Sequence, residues 1–405
     1  MKAVVLILIA SSFLFSAKRS WALLSTETLP AGISSPSFRY GNLDGISERY
    51  TEDGTLVKLG DYKSVNFDAQ TLQKFNADAQ KLINALNKFG GAKLGDKLNL
   101  GVLRVETKPH VNYIAPVFAH GITAKWTLGM GVPFVHYTNK LSLSQQFSNT
   151  EYYRKQFSGI NPELDQALAT DLGNATNETL AQKGYKKLTD QNESFVGDVQ
   201  LVSVYKFFDN TKTALIYQAQ VNLPTGPEYD CDNLAALNNF GRTNVNNTIA
   251  YSYKFSKFTA VPFASYIINV PDQITERVPS NPDDTLPDAA NKERIQRQIG
   301  NSAIAGGNLF YDWNDQLSFG TGYEFANKEA DAFQGARGLR YDLLSRNTQS
   351  NYHKVKAQII YSTVSSYFKK KSLLPMIASL EISDYAYGVN VERQLAQELN
   401  LMLFF

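Results

Sequence analysis

The stretch TALIYQAQVNL, residues 213–223, repeats its apolar side chains at every second position. Leu215, Tyr217, Ala219, Val221 and Leu223 alternate with Ala214, Ile216, Gln218, Gln220 and Asn222. Successive side chains of a β-strand point to opposite faces of a sheet, so this stretch predicts a strand with one apolar and one largely polar face. A helix would repeat its apolar residues at intervals of three and four instead.

The same period-2 pattern recurs along the chain. Residues 199–207 form an equivalent run, and the polar residues Asp209-Asn210 between the two runs predict a hairpin turn. Further runs of this kind lie at 249–255, 258–269, 309–313, 317–325, 355–361 and 380–382. Each run has one face suited to hydrocarbon and one face of small or polar residues.

The connections between these runs alternate in length. Short turns near 120–121, 209–210, 256–257 and 314–315 alternate with long polar segments at about 139–194, 226–242, 271–297 and 329–347. Transmembrane β-barrels have tight periplasmic turns and longer extracellular loops. We therefore expect an all-β fold, a transmembrane antiparallel β-barrel of about 12 strands (range about 10–14) over residues 97–405, in the outer membrane of a Gram-negative cell.

Composition agrees with this expectation. Of 405 residues, 19% are charged, and the 22 Tyr and 24 Phe fit the aromatic girdles of such barrels. Beyond the N-terminus no window holds the roughly 20 apolar residues of a spanning helix. The net charge of +2 predicts no nucleic-acid partner, and the single cysteine, Cys231, excludes an intramolecular disulfide.

The N-terminus resembles a secretory signal. Lys2 precedes an apolar stretch over 3–17, and the small residues Ser20 and Ala22 flank Trp21. This pattern predicts a signal peptide over 1–22 that directs secretion through the inner membrane.

Residues 23–96 are expected to lie outside the wall as an N-terminal plug or a periplasmic segment. Apolar residues at helical spacing, among them Leu72, Phe75, Ile83 and Leu86, predict an amphipathic helix over 68–89. The helix could plug the lumen or pack on the periplasmic rim. Further helices are expected in the extracellular segment 139–194, one beginning at Asn161-Pro162 and one over 178–188. They could form a lid or only shield the mouth.

The C-terminal stretch AQELNLMLFF, residues 396–405, predicts a closing strand that pairs with the first strand. Leu399, Leu401, Leu403 and Phe405 would form a lipid-facing row, with Glu398 and Asn400 facing the lumen. A terminal Phe preceded by alternate apolar residues also resembles the assembly signal of barrel proteins. The expected partners are therefore the barrel assembly machinery, outer-membrane lipid and lipopolysaccharide.

Catalytic chemistry is not expected. The four histidines, His110, His120, His136 and His353, show no converging cluster, and His120 and His136 lie on the order of 40–50 Å apart along the strands. Gly320-Thr321-Gly322 lies in a strand, whereas a phosphate-binding loop requires a following helix. We therefore expect no enzyme activity, no metal site and no cofactor.

Residues 111–134 (VNYIAPVFAHGITAKWTLGMGVPF) combine an apolar strand containing Pro116 with a turn and a strand that ends in Gly129-Met130-Gly131-Val132-Pro133. Similar pieces lie at 196–199, 222–226 and 387–390. They resemble the FadL-like family of long-chain fatty acid transporters and the related outer-membrane proteins of aromatic-degradation (meta-pathway phenol degradation) pathways. The resemblance implies a barrel with an N-terminal plug that carries hydrophobic molecules inward.

Three functions remain open: a channel or transporter for small, hydrophobic molecules, a closed barrel whose loops bind a surface partner, and a general diffusion porin for small polar solutes. In the first and third, alternate polar side chains of the strands would line the pathway. The candidates are Asp198, Gln200, Gln218, Gln220, Asn222, Lys254, Lys356 and Glu381. The same positions would also be polar in any barrel with a wet interior.

Overall fold

A computed structural model of the chain describes residues 26–405 apart from 45, 62–63, 74–76, 91–92, 161, 170 and 238–239. The predicted signal peptide, residues 1–22, and Phe75 of the predicted helix lie outside the described residues. The strands are β1 (Ser34–Asp44), β2 (Glu48–Tyr50), β3 (Leu56–Lys58), β4 (Val65–Asp68), β5 (Asn99–Thr123), β6 (Trp126–Gly131), β7 (Phe134–Gln146), β8 (Gln191–Val196), β9 (Gln200–Asp209), β10 (Thr213–Asn222), β11 (Asn244–Phe255), β12 (Phe258–Asn269), β13 (Asp272–Arg277), β14 (Lys292–Gln298), β15 (Ser302–Asp312), β16 (Leu317–Lys328), β17 (Ala332–Gln334), β18 (Ser350–Ser362), β19 (Met376–Val389), β20 (Val391–Glu392) and β21 (Leu395–Leu403). The α-helices are α1 (Ala69–Gln73), α2 (Ala77–Gly90), α3 (Thr150–Phe157), α4 (Pro162–Leu168), α5 (Leu172–Gln182) and α6 (Val364–Phe368), and 3₁₀ turns lie at Leu59–Asp61, Gly95–Lys97, Ala289–Asn291 and Tyr341–Leu343.

The wall is a closed antiparallel barrel of 12 strands, as the alternating sequence predicts. Its order around the ring is β1, β21, β19, β18, β16, β15, β12, β11, β10, β9, β6 and β5, and β5 returns to β1. β6 is followed directly by β7, and β8 by β9, so each of these pairs acts as one wall strand. Closure leaves no unpaired strand edge in the membrane.

The predicted start of the wall at residue 97 is wrong. Ser34–Asp44 is itself a wall strand, paired with β21 on one side and with β5 on the other. Its sequence, SSPSFRYGNLD, hid this role because its lumen positions are Ser35, Ser37, Arg39 and Gly41 and only Phe38 and Tyr40 are large and apolar on the other face. The wall still has 12 strands, as predicted, because β1 joins it and Asn99–Thr123 forms one long strand.

The two ends of the barrel differ in their connections. Ser34, His120 and Phe405 lie together, since Ser34 pairs with His120 and donates its backbone N–H to the carbonyl of Phe405 at 2.8 Å. This end, the tight-turn end, also carries the connections at 124–125, 210–212, 256–257, 313–316 and 363–375. The opposite, long-loop end carries the segments 45–98, 147–190, 223–243, 270–301 and 329–349.

The C-terminal strand closes the wall as predicted, although its partner is β1. Leu399 pairs with Tyr40 and with Leu380, and all three side chains are exposed on the outer face. Leu401 and Phe405 are exposed as well, and Leu403 is half-buried. Asn400 is buried, and Glu398 lies on the same lumen face.

The helix predicted over 68–89 forms as α1 and α2, and it lies at the long-loop end of the barrel instead of the tight-turn end. Because β1 spans the wall from the tight-turn end, the described residues between Asp44 and β5 lie at the long-loop end. Leu72, Ile83 and Leu86 are buried there, in a cluster with Leu103 of the protruding end of β5 and Tyr153 of α3. The helix therefore packs on the protruding end of β5 together with the loop helices.

The long segment 147–190 contains helices, as expected, but the helix expected over 178–188 spans Leu172–Gln182. Its helix α4 begins at Pro162, the position that the sequence favours, and α5 is capped by the Asp171 carboxylate, which accepts from the N–H of Asn174 at 2.7 Å. α3 adds Tyr153 and Phe157 to the cluster that buries α2. Within the described part of the chain, no helix is both long and apolar enough to cross a membrane.

Candidate functional site: the barrel lumen

Alternate residues of each wall strand face the lumen, and most of the predicted lumen residues lie there. On β10, Gln218, Gln220 and Asn222 are buried together with Ala214 and Ile216, while the intervening residues face outward. Lys356 is buried on β18, and Glu381 lies on the lumen face of β19. Lys254 occupies a lumen position of β11 at the tight-turn end, where it is exposed and lies 3.8 Å from Asp312.

Asp198 has a different surrounding from the other candidates. It lies in the break between β8 and β9, and one of its carboxylate oxygens accepts from the N–H groups of Gly226 (2.8 Å) and Gly241 (3.0 Å). Its carboxylate therefore anchors both ends of the segment 226–241 at the mouth. Gln200, two residues on, is half-buried at the start of β9 opposite Asn222.

One side of the lumen wall, over β10 to β12, carries neutral polar side chains, apart from Lys254 at the tight-turn end. The Gln220 amide donates to Asn222 at 3.0 Å, and Asn222 donates to Asn244 at 3.1 Å. Between β11 and the next strand, β12, the hydroxyls of Thr248 and Ser265 lie 2.7 Å apart. These amides and hydroxyls largely satisfy one another, which keeps a buried polar surface stable without charge.

The opposite side, over β16 to β1, holds charges in pairs. Lys356 lies 2.9 Å from Glu324, which also accepts from the hydroxyl of Tyr352 at 2.8 Å. Arg39 lies 3.1 Å from Glu398, and Glu398 accepts from the hydroxyl of Tyr113 at 2.5 Å. Pairing of this kind is what permits charges in a site of low dielectric.

Gln358 occupies a lumen position of β18, where it pairs in register with Gly320 and Glu381. It is only 3% exposed, and neither its amide oxygen nor its amide nitrogen has a hydrogen-bond partner among the described residues. A buried amide without partners is costly to the folded state.

An apolar seam crosses the lumen wall from the β10–β12 side to the β16–β19 side. It begins near the tight-turn half with Ile216, Ala250 and Val261 and continues through Phe263, whose ring packs against both this group and the next. The next group lies nearer the mouth and consists of Ile267, Ile304, Ala326, Tyr352, Tyr385, Tyr50 and Val391. The Phe263 ring lies against Gly306, where a Cβ atom would overlap it. Sequence reasoning missed the seam because its members come from nine strands, and none of them stands out within its own strand.

The mouth is partly filled by chain that folds inward. Ile46 and Leu59 of the first long segment are buried against the lumen-facing residues Val111 and Tyr137. The hydroxyl of Tyr137 donates to the carbonyl of Ala235 at 2.8 Å, which ties the segment 223–243 to the same place.

At the other opening, residues 26–33 form an N-terminal strap across the inner side of the wall. The hydroxyl of Thr26 donates to that of Ser252 at 2.8 Å, and the N–H of Leu29 donates to the hydroxyl of Thr127 at 2.8 Å. Gly32 donates its N–H to the carbonyl of Gly121 at 2.8 Å. Gly121 is required here because a Cβ atom would overlap the carbonyl oxygen of Pro30.

Three of the long loops meet at Arg277, and we call this group the Arg277 cluster. The guanidinium is buried, donates to Asp232 at 2.8 Å and to the carbonyls of Lys183 (2.8 Å) and Gly184 (2.7 Å), and lies 3.8 Å from the ring centre of Tyr185. Burial alone would raise the pKa of Asp232, but the hydrogen bonds and charges of Lys292 and Arg277 outweigh it and lower that pKa.

The histidines do not form a site. Each has its own neighbour: His110 with Asp44, His120 with Ser34, His136 with Ser194 and His353 with Tyr323. Over the described residues, no group of three or more His, Cys, Asp or Glu is arranged to hold a metal ion. Cys231 is half-buried, and burial raises the pKa of its thiol to about 12.

The closed wall, its inward loops and its strap can be compared with solved structures. The crystal structure of the COG4313 outer membrane channel from Pseudomonas putida F1 matches over 94% of this chain and 98% of its own, with a TM-score of 0.54 and 12% identity. The chain has the fold of an outer-membrane barrel. At this identity the likeness establishes the fold and not the activity.

Other matches are weaker. The CymD monoaromatic hydrocarbon channel matches over 93% of this chain and 89% of its own at a TM-score of 0.34 and 8% identity. The NanC porin matches over 72% of this chain and 93% of its own, with a TM-score of 0.33 and 9% identity. No protein-family model and no curated protein matches the sequence.

Proposed function

We propose that this chain is an outer-membrane channel that admits small, hydrophobic molecules to the periplasm. The observation that carries the proposal is the apolar seam, because it spans the lumen from Tyr50 at the mouth to Ile216 in the tight-turn half. A buried apolar strip of this length would not stabilise a purely polar solute, whereas an apolar solute moving along it would stay largely out of water. No catalytic group is required for this function.

The polar side of the lumen supports a narrower form of the proposal. The amides of Gln218, Gln220 and Asn222 lie on the same face of β10 as Ile216 of the seam. A solute would therefore meet apolar side chains and neutral hydrogen-bonding groups together. The paired charges leave little net field to draw ions through the lumen. We therefore infer a preference for uncharged solutes over ions.

A closed barrel that binds a surface partner through its long loops is the second candidate. The inward packing of Ile46 and Leu59 and the N-terminal strap favour it, since both reduce the opening at an end of the lumen.

The test compares the entry of a hydrophobic probe, N-phenylnaphthylamine, into cells that do or do not express the protein. Phe263→Gln is the informative variant and Phe263→Leu its matched control. We expect the Gln variant to slow entry by about tenfold, because an amide without a partner costs about 1–3 kcal/mol at an apolar site. The Leu variant should stay close to the parent.

Single-channel conductance then separates a channel from a closed barrel. It is measured on the full chain and on a variant without residues 23–33, since a longer deletion would remove the wall strand β1. Silence of both proteins together with unchanged probe entry would refute the channel and leave the closed barrel.

A further inference from the structure

The outer surface at the tight-turn end carries an aromatic belt. Tyr253, Phe255, Phe258, Tyr311 and Trp313 follow one another around β11, β12 and β15 with ring-centre distances of 5.9, 5.6, 5.0 and 6.3 Å. Aromatic side chains of this kind mark the membrane–water interface of a barrel. Groups just beyond the belt therefore lie at the level of the lipid headgroups.

The connection 363–375 projects beyond this belt. It begins with α6 and reverses at Lys370, whose φ of +55° is in the left-handed region. The N–H groups of Lys370 and Lys371 donate to the carbonyls of Tyr367 and Ser366, both at 2.8 Å, which is the hydrogen-bond pattern of a helix C-terminal cap. The three lysines 369–371 are thus held on a defined turn.

Large apolar side chains flank these lysines. Phe368 is 78% exposed and Leu373 is 94% exposed, and Leu374 is also exposed. Side chains this apolar would be costly in water, but at the edge of a bilayer they enter the acyl region while neighbouring lysines reach the headgroups.

Lysines also occupy the other connections at this end. Together with Lys369–Lys371 they form a basic rim, which consists of Lys125, Lys212, Lys257, Lys369, Lys370 and Lys371. Lys369 pairs with Asp315 at 2.6 Å, and the nearby acids Asp209 and Asp312 lie against Lys206 and Lys254. Within the described part of the chain, Lys125, Lys212, Lys370 and Lys371 have no acidic partner.

We propose that the basic rim and the apolar side chains of 363–375 bind anionic phospholipid in the leaflet at the tight-turn end. Lysine ammonium groups above an aromatic belt match the phosphates of such lipids in charge and depth, and Phe368 and Leu373 match the acyl chains. The proposed ligand is a lipid and not free phosphate, because free phosphate would not contact the exposed apolar side chains.

Tryptophan fluorescence tests this binding. Two of the three tryptophans, Trp126 and Trp313, are exposed at this end, and Trp21→Phe removes the third. The full chain with that substitution is reconstituted in phosphatidylcholine vesicles that contain an equal fraction of either brominated phosphatidylglycerol or brominated phosphatidylcholine. We expect the phosphatidylglycerol to quench more strongly, equivalent to an enrichment of about fivefold or more at low salt.

The variant is Lys369→Gln with Lys370→Gln and Lys371→Gln, which should remove most of the difference. Its matched control, Lys186→Gln with Lys187→Gln in a long loop, should keep it. If the triple variant does not fold, as judged by heat-modifiable migration on a gel, Lys125→Gln with Lys212→Gln should reduce the difference instead.

Three outcomes would overturn the proposal. The first is equal quenching by the two brominated lipids in the parent protein. The second is loss of the difference on addition of inorganic phosphate at constant ionic strength, which would indicate a free-anion site. The third is displacement of phosphatidylglycerol by lipopolysaccharide, which would place this end in the other leaflet.

Discussion

At the tight-turn end the barrel depends on close backbone approach, whereas at the long-loop end it depends on buried side chains. The strap over 26–33 is held by hydrogen bonds between short polar groups and needs a glycine at 121. The long loops are joined by a guanidinium, a stacked tyrosine and an apolar cluster of helices. The contrast suggests that the two openings of the lumen can be disturbed separately.

The largest effect is expected from Arg277→Ala at the long-loop end. It removes a buried charge partner of Asp232 and leaves the carbonyls of Lys183 and Gly184 without their donor. Loss of one member of a buried pair costs about 3–5 kcal/mol, so the loops should separate while the wall stays folded. Hydrogen exchange of 183–190 and 277–288 measures this.

The control is Arg340→Ala, which removes an exposed ion pair with Asp342 in a neighbouring loop. It should leave exchange unchanged. Equal protection of the loops in the Arg277 and Arg340 variants would show that the Arg277 cluster does not hold them together.

A smaller effect is expected at the other end from Gly121→Ala. The new Cβ atom would overlap the carbonyl oxygen of Pro30, and relief of such a clash costs about 1–3 kcal/mol, enough to displace the strap. With Cys231→Ser and Thr26→Cys in place, the rate of maleimide labelling at 26 should rise.

Gly307→Ala is the matched control, because its Cβ atom would meet its nearest neighbour at 3.9 Å. Labelling that rises equally in both variants would mean that the strap is not held by its approach to Gly121.

Acid should loosen the long-loop end by a smaller amount. The pKa of Asp232 is lowered from 3.8 in the folded protein, so its contribution to stability is present above 3.8 and is lost as pH falls through the lower, folded value. The exchange rate of 227–237, divided by the intrinsic amide rate at the same pH, should be unchanged between pH 7 and 5 and rise only below 3.8. In Asp232→Asn this rise should be much reduced, and an undiminished rise would assign it to another group.

The smallest effect on the folded protein is expected from Phe405→Ala. The ring is 62% exposed on the outer face, so stability should change by only about 0.5 kcal/mol. If Phe405 acts in assembly, the amount of protein inserted in cells should fall while refolding into detergent is normal. Leu395→Ala, at an exposed position of β21, is the control, and equal loss in both variants would contradict a special role for the terminus.

Much of the fold could be predicted from the sequence because period 2 is a local property. Residues 213–222 show the strand, its two faces and its lumen amides without any knowledge of their neighbours. β1 could not be found in this way, since its lumen residues are the small Ser35, Ser37 and Gly41 and the charged Arg39, which fit only opposite particular partners. Gly41 is the clearest case, because the Tyr113 ring of the adjacent strand occupies the space of its missing side chain.

The placement of 69–90 failed for a related reason. Helical spacing predicts that Leu72, Ile83 and Leu86 are buried, and they are, but it does not indicate on which side of the membrane they are buried. That depends on whether the preceding residues cross the wall. One unrecognised strand was enough to move the helix to the other end of the barrel.

The sequence by itself determined that this chain forms a closed antiparallel barrel, which residues of most strands face the lumen, and that the last strand closes the wall. These follow from alternation and loop length, which each segment carries in its own residues. Only the tertiary structure decided how the apolar seam, the paired charges, the strap and the Arg277 cluster come together. Their members lie up to hundreds of residues apart, and their meeting depends on strand register and closure, which no single segment encodes.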